Sequence, residues 1–416
     1  MIDIKLLLKQ PADYKIGARK RGLNLDDQID RVVDLKAKLD GLIQKKDERR
    51  HRLKLESETK PSEETIAKLR RLKDEIKKDE AEIDLIEKEI EKLVELIPNP
   101  PSADTPIGAS DKDNLVLREV GQSPKFDFQP KDHLELGRSL DLIDTEKASE
   151  IAGSRFYYLK NEAVLLELAL INFVFDFLVK TGFKPMLVPD MIKEKYYAGM
   201  GRLAGDQKEE RYYLAKDELY LIGSAEHTLG PYHANEILEE KDLPKRYVGF
   251  SACFRREAGS YGKDVKGILR VHQFDKVEMF SFAAAAQSED EHRFLLSLQE
   301  KIVQALELPY RVVQICAGDI GFTDARAYDI ETWLPGQNRY RETHSCSNTT
   351  DFQARGINVR VRGKDNKLEF AHLLNATGIA LARTIIAILE NYQTKEGWVR
   401  IPTVLRKYLG LEVIKR

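Results

Sequence analysis

Sulfur is scarce in this chain, proline is missing from a long stretch, and no extended apolar run occurs. Its 416 residues include three cysteines, Cys253, Cys316 and Cys346, far apart and without a CxxC pair. That excludes a disulfide framework and a cysteine-based zinc site. The eight histidines show no ligand spacing, so no zinc is expected. No segment approaches the roughly 20 apolar residues of a spanning helix, and the early LLL is too short for a signal core. A cytoplasmic protein with no membrane partner is expected. Neither GxxxxGK[ST] nor a strand-GxGxxG-helix unit occurs, so a nucleotide would not be held in a P-loop or Rossmann manner. Charge of one sign is also lacking, since 67 Lys and Arg nearly cancel 69 Asp and Glu, for a net charge of -2. Any RNA partner must be drawn by local basic surfaces, with binding that weakens as salt rises.

From about residue 25 to 97 the chain has one proline, Pro61, and one glycine, Gly41. The rest is dense in Lys, Glu, Asp, Leu and Ile, the composition of long helix. Leu69, Leu72, Ile76, Asp79, Ile83, Ile86, Ile90, Leu93 and Ile97 follow alternating steps of three and four, the seam of a left-handed coiled coil. Only Asp79 breaks the stripe. Val32, Leu35, Leu39 and Leu42 repeat the spacing earlier, before Lys46 and Arg49 turn it polar ahead of Leu53. An antiparallel hairpin turning at about 56–63, with Pro61 as the break, closes this pattern. At 1.5 Å per residue the second helix would reach about 50 Å. Taken alone, the segment reads first as a solvated coiled coil that dimerises. The proline-rich, polar stretch 97–114 reads as a linker. The boundaries are therefore 1–103 for an N-terminal domain with its arm at about 28–97, 104–130 for a linker leading inward, and 131–416 for a second domain. Within that domain, 161–180 is a helix apolar nearly all round and hence expected to be buried, followed by a strand through 186–189. Short strands at 219–222, 247–253, 280–282 and 359–362 with few long helices, 288–306 and 378–393, make the fold class α+β, an antiparallel sheet flanked by helices.

The most informative segment is 253–278, CFRREAGSYGKDVKGILRVHQFDKVE. It reads as two strands joined by a basic loop rich in glycine, with Gly259, Gly262 and Gly267 for backbone freedom and Lys263, Lys266 and Arg270 for charge. Arg255 offers a planar fork of donors that can hold a phosphate and a carboxylate together. On an extended strand Glu257 shares its face and can accept from an exocyclic amine. Past the loop, alternation places Phe274 and Glu278 on one face, where a ring could stack a base.

This string resembles the second signature motif of the class II aminoacyl-tRNA synthetases, and at this length it is similar to the seryl-tRNA synthetases. The resemblance continues through 328–356 and 375–393, end to end. It implies ATP and L-serine as substrates, tRNA(Ser) as acceptor with a selenocysteine tRNA left open, Mg2+ with the ATP, and a homodimer formed through 161–189. Arg255 and Arg383 are then the catalytic arginines, on the α- and γ-phosphates. ATP would be held by these with Arg256, Glu257, Val271, Phe274, Glu342, Thr343, His344 and Ser345, and Mg2+ by Glu342 and Ser345. Serine would be held by Ser224, Ala225 and Glu226, which stand where the family has Thr-x-Glu, together with Arg255, Glu278 and Thr377. Arg256 is expected on the opposite strand face. The helical arm would grip tRNA through Lys45, Lys46, Arg49, Arg50, Arg52, Arg70 and Arg71, with Lys54, Lys68 and Lys73 nearby. A ligase that loads a carrier protein would lack this arm, and a binding-only paralogue would have no need of the whole ATP constellation.

Overall fold

The computed structural model describes residues 1–58, 62–258 and 266–416. Pro61, expected to break the helical hairpin, and Gly259, Gly262 and Lys263, expected in the basic loop, lie outside the described residues. Contacts divide the chain into two units, 2–100 and 101–416.

The first unit has two short helices followed by α1 (Asp26–Ser57) and α2 (Glu63–Glu95). Ser62 caps α2 by accepting from Thr65 N at 3.1 Å, an N-cap of the expected chemistry. The helices run antiparallel, since Arg31 near the start of α1 meets Glu89 near the end of α2, and Arg50 meets Glu80. Their seam buries Ile29, Val32, Leu35 and Leu39 against Leu72, Ile76, Ile83, Ile86 and Ile90. After Ile90 the buried position is Val94, with Leu93 only half-buried, because the local 3.6 period drifts from the seven-residue pattern. Asp79 is buried within the stripe and pairs across it with Arg49. The two polar interruptions read separately in the sequence thus satisfy one another.

The second unit is built on an eight-stranded sheet. Its strands are β1 (Leu115–Val120), β2 (Lys184–Leu187), β3 (Lys245–Phe254), β4 (Gln273–Ala283), β5 (Tyr310–Gln314), β6 (Arg326–Leu334), β7 (Arg339–Asn348) and β8 (His372–Ala380). Their order is β1-β5-β6-β7-β8-β4-β3-β2, antiparallel except for β2 beside β3. The segment 104–130, read as a linker, holds the edge strand β1. Helices α3 (Glu162–Lys180), α4 (Ser288–Ala305) and α5 (Leu381–Asn391) share one apolar core with the sheet.

Two helix expectations are corrected. Helix α3 is not buried all round, because Val164, Leu165 and Leu168 are 41–52% exposed in the isolated chain. Gly378 does not open a helix but lies in β8, and α5 begins at Leu381. A Cβ at Gly378 would stand 3.1 Å from the Val277 carbonyl and 3.3 Å from Val174. The glycine therefore serves the close approach of β8 to β4 and α3.

Candidate active site

A cleft opens over β4, β7 and β8 and the first turn of α5. Two adjoining hollows share Arg255, Glu257, Arg270, Lys276, Glu342, Ser345 and Arg383, and the larger encloses about 630 Å3. Strands β3 and β4 supply Arg255 at their open end, where Arg255 N donates to the His272 carbonyl at 2.9 Å. The guanidinium donates from Nε and Nη2 to the Gly223 carbonyl, both at 3.2 Å, and stands 5.2 Å from the centre of the Phe274 ring. Phe274 and Val271 line the same hollow.

Arg255 and Glu257 do not share an extended strand face, because β3 ends at Phe254 and Glu257 is left-handed with φ of 53°. The turn still delivers Glu257 to the cleft, with its Oε2 accepting from Arg270 Nη1 at 2.7 Å. Arg256 is directed elsewhere, over the ring of Tyr212 at 5.7 Å, in keeping with the opposite-face expectation.

On the far side, Arg383 Nη1 lies 2.9 Å from Glu342 Oε1 and also donates to the Glu342 carbonyl. Arg383, then Arg255 and Lys276, hold the Glu342 carboxyl below its ordinary range. Ser345 Oγ is 3.3 Å from Thr377 Oγ1. Gln299 of α4 donates to the carbonyls of both Ser345 and Thr377, at 2.8 and 3.0 Å, and ties β7 to β8. Thr343 is buried at the margin of the smaller hollow, its hydroxyl 2.8 Å from that of Thr332. His344 does not line the cleft. It is buried, its Nδ1 bonds the Thr343 hydroxyl, and burial pushes its pKa down to about 3.

Ser224 and Glu226 line the larger hollow. Ala225 between them packs into an apolar core, so only its backbone is available. Glu226 lies beside Arg202 and Gln353, at 2.5 and 2.8 Å. Burial raises its pKa, but the charge and hydrogen bonds of Arg202 and Gln353 outweigh this and leave it lowered. Glu278 is fully buried behind the cleft wall and ion-paired to Lys276, with burial keeping its pKa raised. Lys276 itself faces the cleft. Lys276, Arg202 and Gln353 thus belong to the site without having been expected there from the sequence. For Lys276 the signal was present, two residues from Glu278 on the same alternating face. For Arg202 and Gln353 no local signal existed, because they meet Glu226 from 24 and 127 residues away.

On the arm, the expected basic residues fall into two sets. Arg49 pairs with Asp79 and Glu75, Arg50 with Glu80, and Arg52 and Lys68 with Glu56. Lys45, Lys54, Arg70, Arg71 and Lys73 are exposed, Lys46 is half-buried, and none of these makes an ion pair among the described residues.

Comparison with known proteins gives a consistent result. Residues 1–101 match the family described as the seryl-tRNA synthetase N-terminal domain, and residues 211–392 match the tRNA synthetase class II core domain (G, H, P, S and T). The chain is 43% identical over its whole length to a serine–tRNA ligase of Dictyoglomus turgidum and 44% identical to that of Thermobifida fusca, covering 99% of each. Among solved structures it is similar to a seryl-tRNA synthetase from Pyrococcus horikoshii complexed with ATP. The TM-score is 0.94 and the identity 39%, with 100% of this chain and 99% of that chain covered. A Giardia lamblia prolyl-tRNA synthetase, 16% identical with a TM-score of 0.58 over 65% of this chain and 53% of that one, shares the fold.

Proposed function

The chain belongs to the seryl-tRNA synthetases, class II ligases that activate L-serine with ATP and transfer it to the 3' end of tRNA, and on that premise we propose how its residues divide the work. Activation brings two anions together, so positive charge and positioning carry most of the catalysis. Arg255 bridges the serine carboxylate and the α-phosphate, draws them together and stabilises the charge that accumulates on the equatorial oxygens. Arg383, in the first turn of α5, holds the γ-phosphate and keeps ATP bent. The positive pole of that helix assists it. Phe274 stacks adenine and Glu257 reads its exocyclic amine, while Val271 and Thr343 border the nucleotide; Arg256 and His344, expected there from the sequence, face away from it.

Glu342, held ionised by Arg383, and the Ser345 hydroxyl in the same cleft form a hard-oxygen donor set that suits Mg2+. The ion, when bound there, offsets the negative charge of the ATP phosphates.

Glu226 and Ser224 hold the serine ammonium, with the Ala225 backbone between them. Thr377 at the cleft and Glu278 behind it, shielded by Lys276, select the hydroxyl. A site that pairs with a buried hydroxyl rejects alanine strongly, by about 10⁴ to 10⁵, whereas rejection of threonine depends on the room left for its methyl group. The exposed Lys45, Arg70 and Arg71 contact tRNA(Ser) phosphates, and a second copy of the chain covers the bare apolar face of α3, making a homodimer. Among the described residues no helix is long and apolar enough to cross a membrane. We assign the protein to the cytoplasm on its membership of the family alone.

The observation that carries this reading is the convergence of Arg255, Glu257, Glu342, Ser345 and Arg383 on one cleft beside Ser224 and Glu226. Exchange of labelled pyrophosphate into ATP, without tRNA, across serine, threonine, alanine, glycine and cysteine tests it. Exchange with serine is expected. Silence with all five would remove the activation step, and preference for another amino acid would overturn the assigned pocket.

A further inference from the structure

Glu226 is engaged on one side only. Its Oε1 accepts from Arg202 Nη2 at 2.5 Å and from Gln353 Nε2 at 2.8 Å. Its Oε2 has no hydrogen bond among the described residues, and the His227 ring nitrogen stands 3.9 Å away. Burial and the surrounding arginines hold that histidine neutral. The glutamate is 4% exposed, a setting in which a carboxylic acid keeps its proton unless a partner opposes this. A neutral acid would not hold an ammonium group. Arg211 and Lys276 also face Glu226, as do the acids Glu278 and Asp324, and two like charges nearby disfavour ionisation. Of the cations among the described residues, only Arg202 touches it.

We propose that Arg202 is a positioning residue for serine binding: with Gln353 it engages Oε1 of Glu226, keeps the group a carboxylate, and leaves Oε2 to the substrate ammonium. The proposal rests on the assignment of Glu226 to that ammonium. It gives a reason for a guanidinium beside a carboxylate in a cleft that must bind another cation. Arg202 takes the oxygen the substrate does not use, and its fixed fork, unlike a mobile ammonium, does not compete for the second. Gln353 reaches the same oxygen from helix Phe352–Ile357, so Glu226 is clamped by two separate elements.

Serine KM, ATP KM and the pH profile of kcat/KM for serine in pyrophosphate exchange decide the matter, measured on the full chain and on Arg202→Gln, Arg202→Lys, Gln353→Met and Glu226→Gln. Arg202→Gln is expected to raise serine KM about tenfold, the loss of a hydrogen bond to a charged group, with ATP KM unchanged. The acid limb should move up by about one pH unit or more, because a group whose pKa has risen needs a higher pH to ionise. Arg202→Lys should bring the limb back toward its original position. Gln353→Met, which removes a neutral donor, should raise serine KM about threefold with a smaller shift of the limb. If Arg202→Gln lowers kcat while serine KM and the limb stay put, or raises ATP KM in step, the residue is merely structural and the proposal is overturned. Glu226→Gln separates the premise from the inference. An unchanged serine KM there removes the ammonium assignment and the proposal together. A raised one beside a normal Arg202→Gln enzyme removes only the role of Arg202.

Discussion

The arm and the cleft both carry many charges, and they use them in opposite ways. On the arm, Arg31, Lys38 and Arg50 meet Glu89, Glu82 and Glu80 at 2.6–2.9 Å with side chains roughly half exposed. Water screens such pairs and competes for both partners, so they contribute little to stability. Cohesion there comes from the Ile and Leu seam. In the cleft, Glu226 and Glu278 are 4% exposed or less, and among the described residues each is in direct contact with one cation, Arg202 and Lys276 respectively. With water removed, the identity of that neighbour decides whether a carboxyl is ionised. An exposed charge on the arm can be exchanged for another at little cost in stability, whereas one in the cleft is tied to its partner, as is buried Asp79 to Arg49.

The largest expected effect separates the regions outright. Arg255→Ala should lower serine-dependent pyrophosphate exchange by about 10³-fold while the melting temperature stays close to that of the unaltered chain. Retained exchange would mean the cleft does not depend on this cation. Next, Ile83→Ala should destabilise the arm by about 2–4 kcal/mol, the cost of a cavity in a buried seam, read from the helical circular dichroism signal in urea. Exchange should be unaffected, and a parallel loss of exchange would show that the units are not independent.

Arg70→Glu with Arg71→Glu should reduce kcat/KM for tRNA charging about tenfold and flatten its salt dependence, again without touching exchange. Equal charging by the double variant would remove these residues from the tRNA contact surface. The last effect concerns pH. Glu167 on α3 lies beside Asp275, and burial followed by that neighbour raises its pKa from 4.5 to about 8. The folded chain keeps a proton that the unfolded chain releases, so stability falls as pH rises from about 4.5 to about 8. Glu167→Gln should flatten that slope in urea midpoints compared across this window, and an unchanged slope would place the titration elsewhere.

Much of the arm was legible beforehand because a coiled-coil seam is a repeat in sequence. Even its two faults, Asp79 and Arg49, could be seen, though not that they pair. Of the cleft, the inventory was legible: Arg255, Glu257, Ser224, Glu226, Glu342, Ser345, Thr377 and Arg383 do reach one place. The path taken by the backbone was not. Strict alternation put Glu257 on a strand, but a left-handed turn delivers it. Gly378 resembled the start of a helix because GIALARTII is apolar and helix-prone, yet Ile379 and Ala380 pair with β4 and Gly378 lies in the same strand, at the irregularity between Thr377 and Ile379. Apolarity all round α3 was read as burial, and the isolated chain leaves one of its faces open.

Periodicity and side-chain chemistry act over a few residues, so the chain alone settles where its long helices lie and which groups are available for binding phosphate, carboxylate and amine. The state of those groups is settled by folding. Arg202 finds Glu226 across 24 residues, Gln353 across 127, and Arg383 finds Glu342 across 41. The energy of a buried charge depends on the neighbour that replaces its water, and that neighbour is known only once distant segments have met.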